Sequence, residues 1–487
     1  MSGALLDLVR MNAPLLMMVI PFGGAALMLL NGSARLAWFI ACGAAVAASV
    51  VGIDFAARLL SGATPALAIV APQIHVDGVG AFAGALIGLA LVLAVAAIGA
   101  SLKDAGVREA PVALALVLCG AGSWIGALMA GDLIALIVAV ETGWLAAVGL
   151  VAVNAVRERA PLNGALRMLS IGSIGTALML LGAAMIGRAS GGLSLEALPL
   201  AHISMINLAG AGAALVVLGL AVKIGVAPLH AWAAATLGRG NAMVTFGVGV
   251  LGVLGAASVL CRFASYAITA PEIGAAISAA LAGLGAVSVV VGSVQAVGAR
   301  NLQRLAAYAG VSQVGCVLLS VALGSPAGFA AALIQLVGFA AAATAFYGGA
   351  AAGRVKSLAM LDGYGQRAPL ASAAIATGAL SLMGAPLTIG FLGRWRLVEA
   401  GVGAGWWWAS VLVIVASLAG VFYGGRLIER MYFRRANAAY AGDGGVWRVA
   451  LGPALIAAIV AIGIGFAPLV LLRAADVASG MLTGVAT

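Results

Sequence analysis

The sequence predicts an all-α integral membrane protein, built as one bundle of about 14 transmembrane helices. Of the 487 residues, 64% are hydrophobic and only 8% are charged, whereas an average soluble domain is about 25% charged. Apolar runs of roughly 20 residues recur between short polar links, and each is long enough to cross a hydrocarbon core about 30 Å thick. No link is long enough to fold as a globular domain. We therefore expect a single membrane domain over residues 1–487.

The spans are predicted from the apolar runs and their flanking polar residues. In chain order they are Ala13–Leu30, Leu36–Arg58, Gly78–Leu102, Pro111–Ala130, Leu133–Val153, Gly164–Ile186, Leu208–Ala231, Ala242–Phe263, Glu272–Val297, Leu302–Leu323, Pro326–Ala351, Ala368–Gly393, Gly405–Leu427 and Val446–Leu472. Asp7 and Arg10 precede the first run, and no small-residue cleavage site follows it, so we interpret it as a spanning helix and not a signal peptide.

Basic residues indicate how the chain crosses the membrane. The net charge is +10, but the basic residues are scattered through short links and form no basic domain, which argues against nucleic acid as a partner. If the spans alternate, 17 of the 25 lysines and arginines lie in or beside the links after odd-numbered spans. Seven lie on the side of the termini: Arg10, Arg58, Arg188, Arg262, Arg394, Arg396 and Arg473. The positive-inside rule then places both termini outside the cytoplasm, and we expect a multi-pass protein of the cell (inner) membrane.

The cysteines give no sign of a redox centre. Cys42, Cys119, Cys261 and Cys316 each lie alone in an apolar run, without the paired spacing of a metal site, an iron–sulfur cluster or a disulfide framework. We expect no cofactor and no metal in this chain, so any redox centre belongs to a partner chain.

The segment AVKIGVAPLHAW, Ala221 to Trp232, places a lysine deep in an apolar run. Lys223 lies about 22 Å along a helix that begins near Leu208, and the run is then interrupted by a glycine and a proline. A lysine at membrane depth costs on the order of 3 kcal/mol and marks ion or proton paths. The alternative is a lysine that snorkels from a helix end to the interface.

Glu141 is the predicted acidic partner of that lysine. It lies nine residues after Asp132 in the fifth span, about 13 Å into the helix and so near the midplane. Burial and a neighbouring lysine act on a carboxyl in opposite directions, which makes such a pair a proton site that can switch. The sequence alone leaves open whether the two side chains meet.

Two interruptions of the chain resemble each other. VAPLHAW follows Lys223, and GAPLTIGFLGRW runs from Gly384 to Trp395 with Arg394 near its end. A matched pair of broken helices in two halves of a membrane protein indicates a transporter repeat. The alternative is chance recurrence of Ala-Pro-Leu in an alanine-rich chain.

Five features together resemble one family. They are Glu141 in span five, Lys223 before VAPLHAW, IHVDGVGAF at Ile74 to Phe82, NLQRLAAYAGVSQVG at Asn301 to Gly315, and the GAPLTIGFLGRW break. The chain resembles the antiporter-like proton-translocating membrane subunits of respiratory complex I, of multiple-resistance-and-pH cation/proton antiporters, and of membrane-bound hydrogenase or formate hydrogenlyase complexes. The resemblance implies 14 helices, outside termini, broken helices seven and twelve, and two inverted five-helix repeats, here at 111–263 and 272–427, flanked by helices one to three at 13–110 and helix fourteen at 446–472.

The resemblance also implies the proton-transfer residues. The family's glutamate on helix five matches Glu141, its lysine on helix seven matches Lys223, and its charged residue on helix twelve matches Arg394. The candidate supporting groups are Asp132, His230, Gln335 and Thr344; for His230, which does not lie mid-span, a structural or interfacial role is favoured.

Two helices depart from the family pattern. Helix eight has Leu254 near the position of a usual lysine, and helix eleven has Gly338 and Ala342 at positions that usually carry histidine or lysine. An arginine on helix twelve rarely releases its proton. The sequence therefore predicts a sparse proton path between Lys223 and Arg394.

Three functions follow from these features. The first is a proton-translocating subunit of a multi-subunit membrane complex, in which partner subunits, lipid and a peripheral redox module surround a chain without a catalytic redox site of its own. As part of an enzyme, such a chain belongs to a proton-pumping oxidoreductase of the quinone reductase or hydrogenase type. The second is a subunit of a cation/proton antiporter without a redox partner, and the third is a structural antiporter-like subunit with reduced conduction, which the departures on helices eight and eleven favour.

Overall fold

A computed structural model describes residues 3–30, 33–62, 74–99, 109–153, 159–195, 205–270, 273–436 and 448–481. These residues contain helices and turns, with three isolated bridges between single residues and no β-strand. The α-helices are α1 (Gly3–Met11), α2 (Ala13–Leu29), α3 (Ala34–Leu60), α4 (Gly78–Ile98), α5 (Glu109–Leu128), α6 (Leu133–Val153), α7 (Arg159–Ser190), α8 (Ile206–Ile224), α9 (Ala231–Leu237), α10 (Ala242–Val244), α11 (Val253–Thr269), α12 (Gly274–Gly298), α13 (Leu302–Ala322), α14 (Pro326–Ala352), α15 (Tyr364–Arg367), α16 (Pro369–Met383), α17 (Ile389–Gly403), α18 (Trp407–Ile428), α19 (Arg448–Phe466) and α20 (Leu469–Gly480). Two π-helical segments, Thr245–Gly252 and Glu429–Phe433, continue α10 and α18, and a short 3₁₀ helix spans Leu358–Leu361.

The prediction of an all-helical membrane bundle is confirmed. Twelve helices of the described part are long and apolar enough to cross a membrane, and α2 and α16 are shorter apolar helices. Every predicted span coincides with one or more of these helices. The exact number of fourteen crossings and the inverted-repeat division stay predictions.

Several helix ends were predicted too early. Span eight was expected to end at Phe263, but α11 continues to Thr269. Span twelve was expected to end at Gly393, but α17 continues to Gly403. Polar residues lower the hydropathy at a membrane boundary, whereas the backbone hydrogen bonds that define a helix extend beyond it.

The chain also contains two features that the apolar runs did not predict. The separate helix α1 precedes the first span. Span fourteen was predicted to be continuous to Leu472, but α19 ends at Phe466, and α20 begins after Pro468. The predicted ends at Leu102, Glu272 and Val446 lie outside the described residues.

Both predicted helix breaks are present and have matching geometry. α8 ends at Gly225 with φ 78° and ψ 42°, and α16 ends at Gly384 with φ 77° and ψ 42°. Both glycines adopt the left-handed conformation, which a residue with a Cβ adopts only under strain. A left-handed glycine therefore terminates the first half of each broken helix, after Ile224 and after Met383.

The centre of the bundle is formed by α14 and the helices around it. The apolar window of α14 is completely buried, and those of α13 and of the α10–α11 span are almost completely buried. α14 packs against α13, α16, α17 and α19. A helix that is apolar on all sides is expected in such a central position, and this one carries both Gln335 and Thr344.

Candidate proton site

The structure brings Lys223 and Glu141 into direct contact. Lys223 Nζ donates a hydrogen bond to Glu141 Oε2 at 2.6 Å and a second to Thr176 Oγ1 at 2.9 Å. Thr176 Oγ1 in turn donates to the same Glu141 oxygen at 2.5 Å. The three polar side chains belong to α6, α7 and α8 and form one closed triangle within an otherwise apolar region.

Small residues allow α7 and α8 to approach closely enough for this contact. A Cβ at Gly175 would lie 2.9 Å from Gly219 O, and a Cβ at Gly212 would lie 2.7 Å from Gly182 O. Close backbone approach through small residues is how membrane helices pack in the absence of a hydrophobic driving force between them. Thr176, one residue after Gly175, is thereby held beside Lys223.

The environment of the lysine compensates its positive charge. The Lys223 side chain is fully buried, whereas that of Glu141 is 23% exposed. Lys223 Nζ also lies 4.8 Å from the centroid of the Trp144 ring, a favourable cation–π distance. Because Lys223 lies in the last turn of α8, the negative end of the helix dipole adds to this compensation.

Asp132 and His230 lie apart from this triangle. Asp132 precedes α6, and its side chain accepts a hydrogen bond from Ala135 N at 2.8 Å, as a helix cap does. His230 follows the break, and its Nε2 lies 2.8 Å from Gln295 Oε1 on α12. The Tyr308 ring lies edge-on to the His230 ring at 6.2 Å. Neither residue contacts Lys223 or Glu141 among the described contacts.

Arg394 forms a second buried polar group at the other break. Its Nη2 donates to Leu382 O at 2.9 Å and its Nη1 to Ser417 Oγ at 2.7 Å and to Met383 O. The side chain therefore reaches back across the break and satisfies the last carbonyls of α16, which have no partner within their own helix. No carboxylate of the described residues forms an ion pair with Arg394.

Gln335 joins this group through a glutamine that sequence reasoning did not single out. Gln313 Nε2 donates to Ser381 O at 3.2 Å and to Leu382 O at 3.1 Å, and Gln335 Nε2 donates to Gln313 Oε1. Gln313 lies within the motif from Asn301 to Gly315, so its polarity mid-span was the available signal. Leu382 O thus accepts hydrogen bonds from both Gln313 and Arg394.

The two positions at which helices eight and eleven depart from the family pattern are apolar and buried. Leu254 and Ala342 are fully buried. A cavity of about 20 Å³ lies in the same central region, beside Gly225 at the first break, and is lined by apolar side chains with Phe339 and Tyr347. This volume suffices for about one water, but cavities lined by apolar groups tend to stay empty. Thr344, a candidate supporting group, lines a larger cavity of about 600 Å³ between α4, α14 and α19.

A second buried ion pair connects the start of α4 to α11. Arg262 Nε donates to Asp77 Oδ2 at 2.5 Å, and Arg262 also binds the carbonyls of Ala130 and His75. Burial alone would raise the pKa of Asp77, which precedes the α4 span, but the Arg262 guanidinium, the Gly80 N–H and the Tyr266 hydroxyl together lower it. Arg262 was counted among the link residues that set topology. It instead connects helices inside the bundle, and Arg394 is buried as well. Five of the seven basic residues on the side of the termini therefore remain as topology signals.

No described group of three or more histidine, cysteine, aspartate or glutamate side chains is arranged to hold a metal ion. The assignment of the Lys223–Glu141 pair as the proton site stays a prediction.

Comparison with known proteins supports the resemblance found in the sequence. The family model described as NADH:quinone oxidoreductase/Mrp antiporter, transmembrane, matches residues 130–420. NADH-quinone oxidoreductase subunit N of Desulforudis audaxviator is 29% identical over 410 residues, which cover 79% of each chain. Subunit N of Laribacter hongkongensis is 28% identical over 352 residues, 70% of this chain and 71% of the relative.

Solved structures show the same fold. A chain of the Mrp complex from Dietzia sp. DQ12-45-1b superimposes with a TM-score of 0.85 at 20% identity, over 98% of both chains. A chain of respiratory complex I from Thermus thermophilus superimposes with a TM-score of 0.76 at 25% identity, over 94% of this chain and 98% of that chain. The family match includes both breaks and the buried cations Lys223, Arg262 and Arg394. This multi-pass membrane protein belongs to the NADH:quinone oxidoreductase/Mrp antiporter family.

Proposed function

We propose that this chain is a proton-translocating, antiporter-like subunit of a multi-subunit membrane complex, and that it couples ion movement to redox chemistry in partner subunits. The observation that supports the proposal most is the 2.6 Å contact between Lys223 Nζ, which is fully buried, and Glu141 Oε2. Buried ionisable pairs within membrane spans typically mark proton relays. The named relatives are subunits of NADH-quinone oxidoreductases, which agrees with a redox-driven complex.

In this proposal, Glu141 and Lys223 exchange a proton within the triangle that they form with Thr176. The lysine ammonium donates toward the carboxylate, and the threonine hydroxyl donates to the same oxygen, Glu141 Oε2. A proton that arrives on Glu141 removes the negative charge that holds the lysine, so the two groups change their interaction together. Such a coupled pair can link proton uptake to a change elsewhere in the complex.

The exposed part of Glu141 indicates where a partner subunit binds. Around it the outer surface of α6 and α7 is apolar, with Val138 59% and Ile174 60% exposed. A carboxylate that is 23% exposed at this depth would contact lipid in an isolated chain, which is unfavourable for an ionisable group. We infer that another membrane subunit covers this face and forms the entrance or exit of the proton site.

The rest of the assembly follows from the same proposal. Redox cofactors and any peripheral module belong to partner chains, lipid surrounds the outer helices, and the complex lies in the cell (inner) membrane with both termini of this chain outside the cytoplasm. The bias of basic residues toward the opposite links supports that orientation.

A structural subunit with reduced conduction is the second candidate, because Leu254 and Ala342, at positions where the family usually carries titratable residues, are apolar and fully buried. Two measurements decide between the candidates. Purification in mild detergent should identify redox subunits among the co-purifying chains, and the purified complex in liposomes should lose proton transport in the Glu141→Gln variant. Full transport in that variant would favour the structural role. Co-purification of antiporter subunits alone would favour a cation/proton antiporter without a redox partner.

A further inference from the structure

Basic residues are concentrated at the end of the bundle that is predicted to face the cytoplasm. They lie in four segments, 238–241, 299–304, 353–367 and 426–435, which contain ten lysines and arginines and two carboxylates. Eight of the ten are exposed, and the other two, Arg426 and Arg430, are half-buried. We call the ten residues the basic cluster: Arg239, Arg300, Arg304, Arg354, Lys356, Arg367, Arg426, Arg430, Arg434 and Arg435.

Hydrogen bonds hold the four segments together. Leu358 N donates to Arg300 O at 3.1 Å, and Arg430 Nη1 donates to Leu358 O at 3.4 Å. Asn301 Nδ2 donates to Gly238 O at 3.1 Å. Residues that are far apart in the sequence therefore form one surface at the ends of α12, α14 and α18.

The positive charge of this surface is largely uncompensated. The two carboxylates, Asp362 and Glu429, each pair with one member of the cluster: Arg430 Nη1 lies 2.9 Å from Asp362 Oδ1, and Arg434 Nη2 lies 2.9 Å from Glu429 Oε1. Ten cations against two carboxylates leave an excess of eight positive charges. Such an excess creates a field that attracts anions to the surface.

Membrane topology alone does not require so large an excess. The positive-inside rule depends on lysine and arginine, and acidic residues contribute little to it. In and beside the links after spans one, three and five, acidic residues accompany the basic ones. Those links carry six basic residues (Arg35, Lys103, Arg108, Arg157, Arg159 and Arg167) and three acidic residues (Asp104, Glu109 and Glu158), an excess of three.

The surface of α18 places the cluster at the depth of lipid headgroups. Large apolar side chains along this helix are exposed, among them Leu418 and Phe422, which is 72% exposed. At its end Phe433 is 80% exposed, and Arg434 and Arg435 follow directly. An apolar face, then an aromatic residue and then arginines match the order of hydrocarbon, interface and headgroups in one leaflet.

The chemistry of these side chains fits phosphate esters. The guanidinium group binds phosphate through two parallel hydrogen bonds, and basic residues at the cytoplasmic membrane surface attract anionic lipids. The position at headgroup depth favours a lipid over an acidic protein, since a soluble partner needs a surface that projects from the membrane.

We propose that the basic cluster binds the phosphate groups of anionic phospholipids in the cytoplasmic leaflet, beside the end of α18. The site goes beyond the proposed function, because it does not depend on proton exchange between Lys223 and Glu141.

The test uses the assembled complex in phosphatidylcholine liposomes that contain a trace of a photoactivatable phospholipid. One probe is phosphatidylglycerol, the other is phosphatidylcholine with the same chains, and both carry the reactive group near the glycerol. Mass spectrometry measures the labelling of residues 411–435. In the wild type, the anionic probe should label this segment several-fold more than the zwitterionic probe.

The test variant combines Arg300→Gln with Arg435→Gln, two exposed positions outside the ion pairs with Asp362 and Glu429. Loss of two cations at the membrane surface should weaken binding by about 30-fold, so the labelling ratio should fall to about one. The matched control is Arg473→Gln, which removes an exposed arginine from the side of the termini and should leave the ratio at its wild-type value.

Three results would overturn the proposal. They are equal labelling by both probes in the wild type, an unchanged ratio in the double variant, and no labelling of 411–435 by either probe, which would show that another subunit covers α18. If the double variant does not assemble, the wild-type ratio must fall toward one as the salt concentration rises from about 0.1 to about 1 M; a constant ratio refutes the site. Loss of the ratio on adding inorganic phosphate at constant ionic strength would assign the cluster to free phosphate instead of lipid.

Discussion

Replacement of Glu141 by glutamine tests the proton site with the least change in shape. Removing one partner of a fully buried ion pair costs about 3–5 kcal/mol. Because the Glu141 side chain is 23% exposed, we expect a value near the lower limit, about 3 kcal/mol. Glutamine retains an oxygen that can accept from Lys223 Nζ, which restores about 1 kcal/mol. The net loss of about 2 kcal/mol corresponds to a roughly 30-fold lower population of the native arrangement in which Lys223 is charged.

The assay is coupled proton transport by the complex in liposomes, normalised to the amount of assembled complex. Glu141→Gln should lower transport by at least tenfold, since the titrating group is lost and the lysine has no carboxylate to exchange with. Thr142→Val is the matched control, because Thr142 is the next residue, is exposed, and bonds only to Val138 O of its own helix. Transport within twofold of wild type in both variants would refute the assignment of Glu141 as the proton site.

Three further predictions follow from the geometry. Lys223→Ala should lower coupled transport by tenfold or more, and Lys223→Arg should be intermediate, because arginine keeps the charge but not an exchangeable proton; transport in Lys223→Arg equal to that of wild type would show that charge alone suffices. Asp77→Asn should lower the melting temperature of the complex by leaving the fully buried Arg262 without a carboxylate, at a cost of about 3 kcal/mol, with transport per assembled complex unchanged. Since the pKa of Asp77 is lowered by folding, its stabilisation is complete above the ordinary carboxyl pKa and is lost as the pH falls toward the folded value; a melting temperature that rises on acidification in wild type but not in Asp77→Asn would contradict this. Cysteines introduced beside Arg430 and at Met481 should be labelled from opposite sides of the membrane, Arg430 from the cytoplasm; labelling from one side would overturn the topology.

The depth of a polar residue along a span could be predicted from the sequence, but the direction of its side chain could not. Counting residues at 1.5 Å each placed Lys223 about 22 Å along its helix and Glu141 near the midplane. Their contact depends on the rotation of α6 and α8 about their axes. In α6 the exposed Val138 and the buried Val140 are equally apolar, so the sequence carries little periodic signal for that rotation. Thr176 was missed for the same reason.

The helix breaks were predictable because their chemistry is local. A glycine in the left-handed conformation followed by a proline terminates a helix regardless of its surroundings, and Gly225 and Gly384 do so with the same dihedral angles. The continuation of α17 to Gly403 was not predictable from hydropathy. Its polar residues Arg396 and Glu399 lie on the surface and bond to each other at 3.3 Å, so the helix continues while the apolar run does not.

The two breaks also show why a shared motif does not establish a shared role. At the first break two residues have separate roles. Trp232 Nε1 donates to Val222 O at 3.0 Å and connects α9 to the end of α8. Lys223 Nζ donates only to the side chains of Glu141 and Thr176 among the described contacts. At the second break Arg394 has both roles. It is the buried cation, and its hydrogen bonds to Leu382 O and Met383 O connect α17 to the end of α16. A carboxylate is an ionisable acceptor, whereas a backbone carbonyl is not. The motif places a positive charge at each break, but Lys223 contacts a carboxylate, whereas Arg394 contacts backbone carbonyls and the Ser417 hydroxyl.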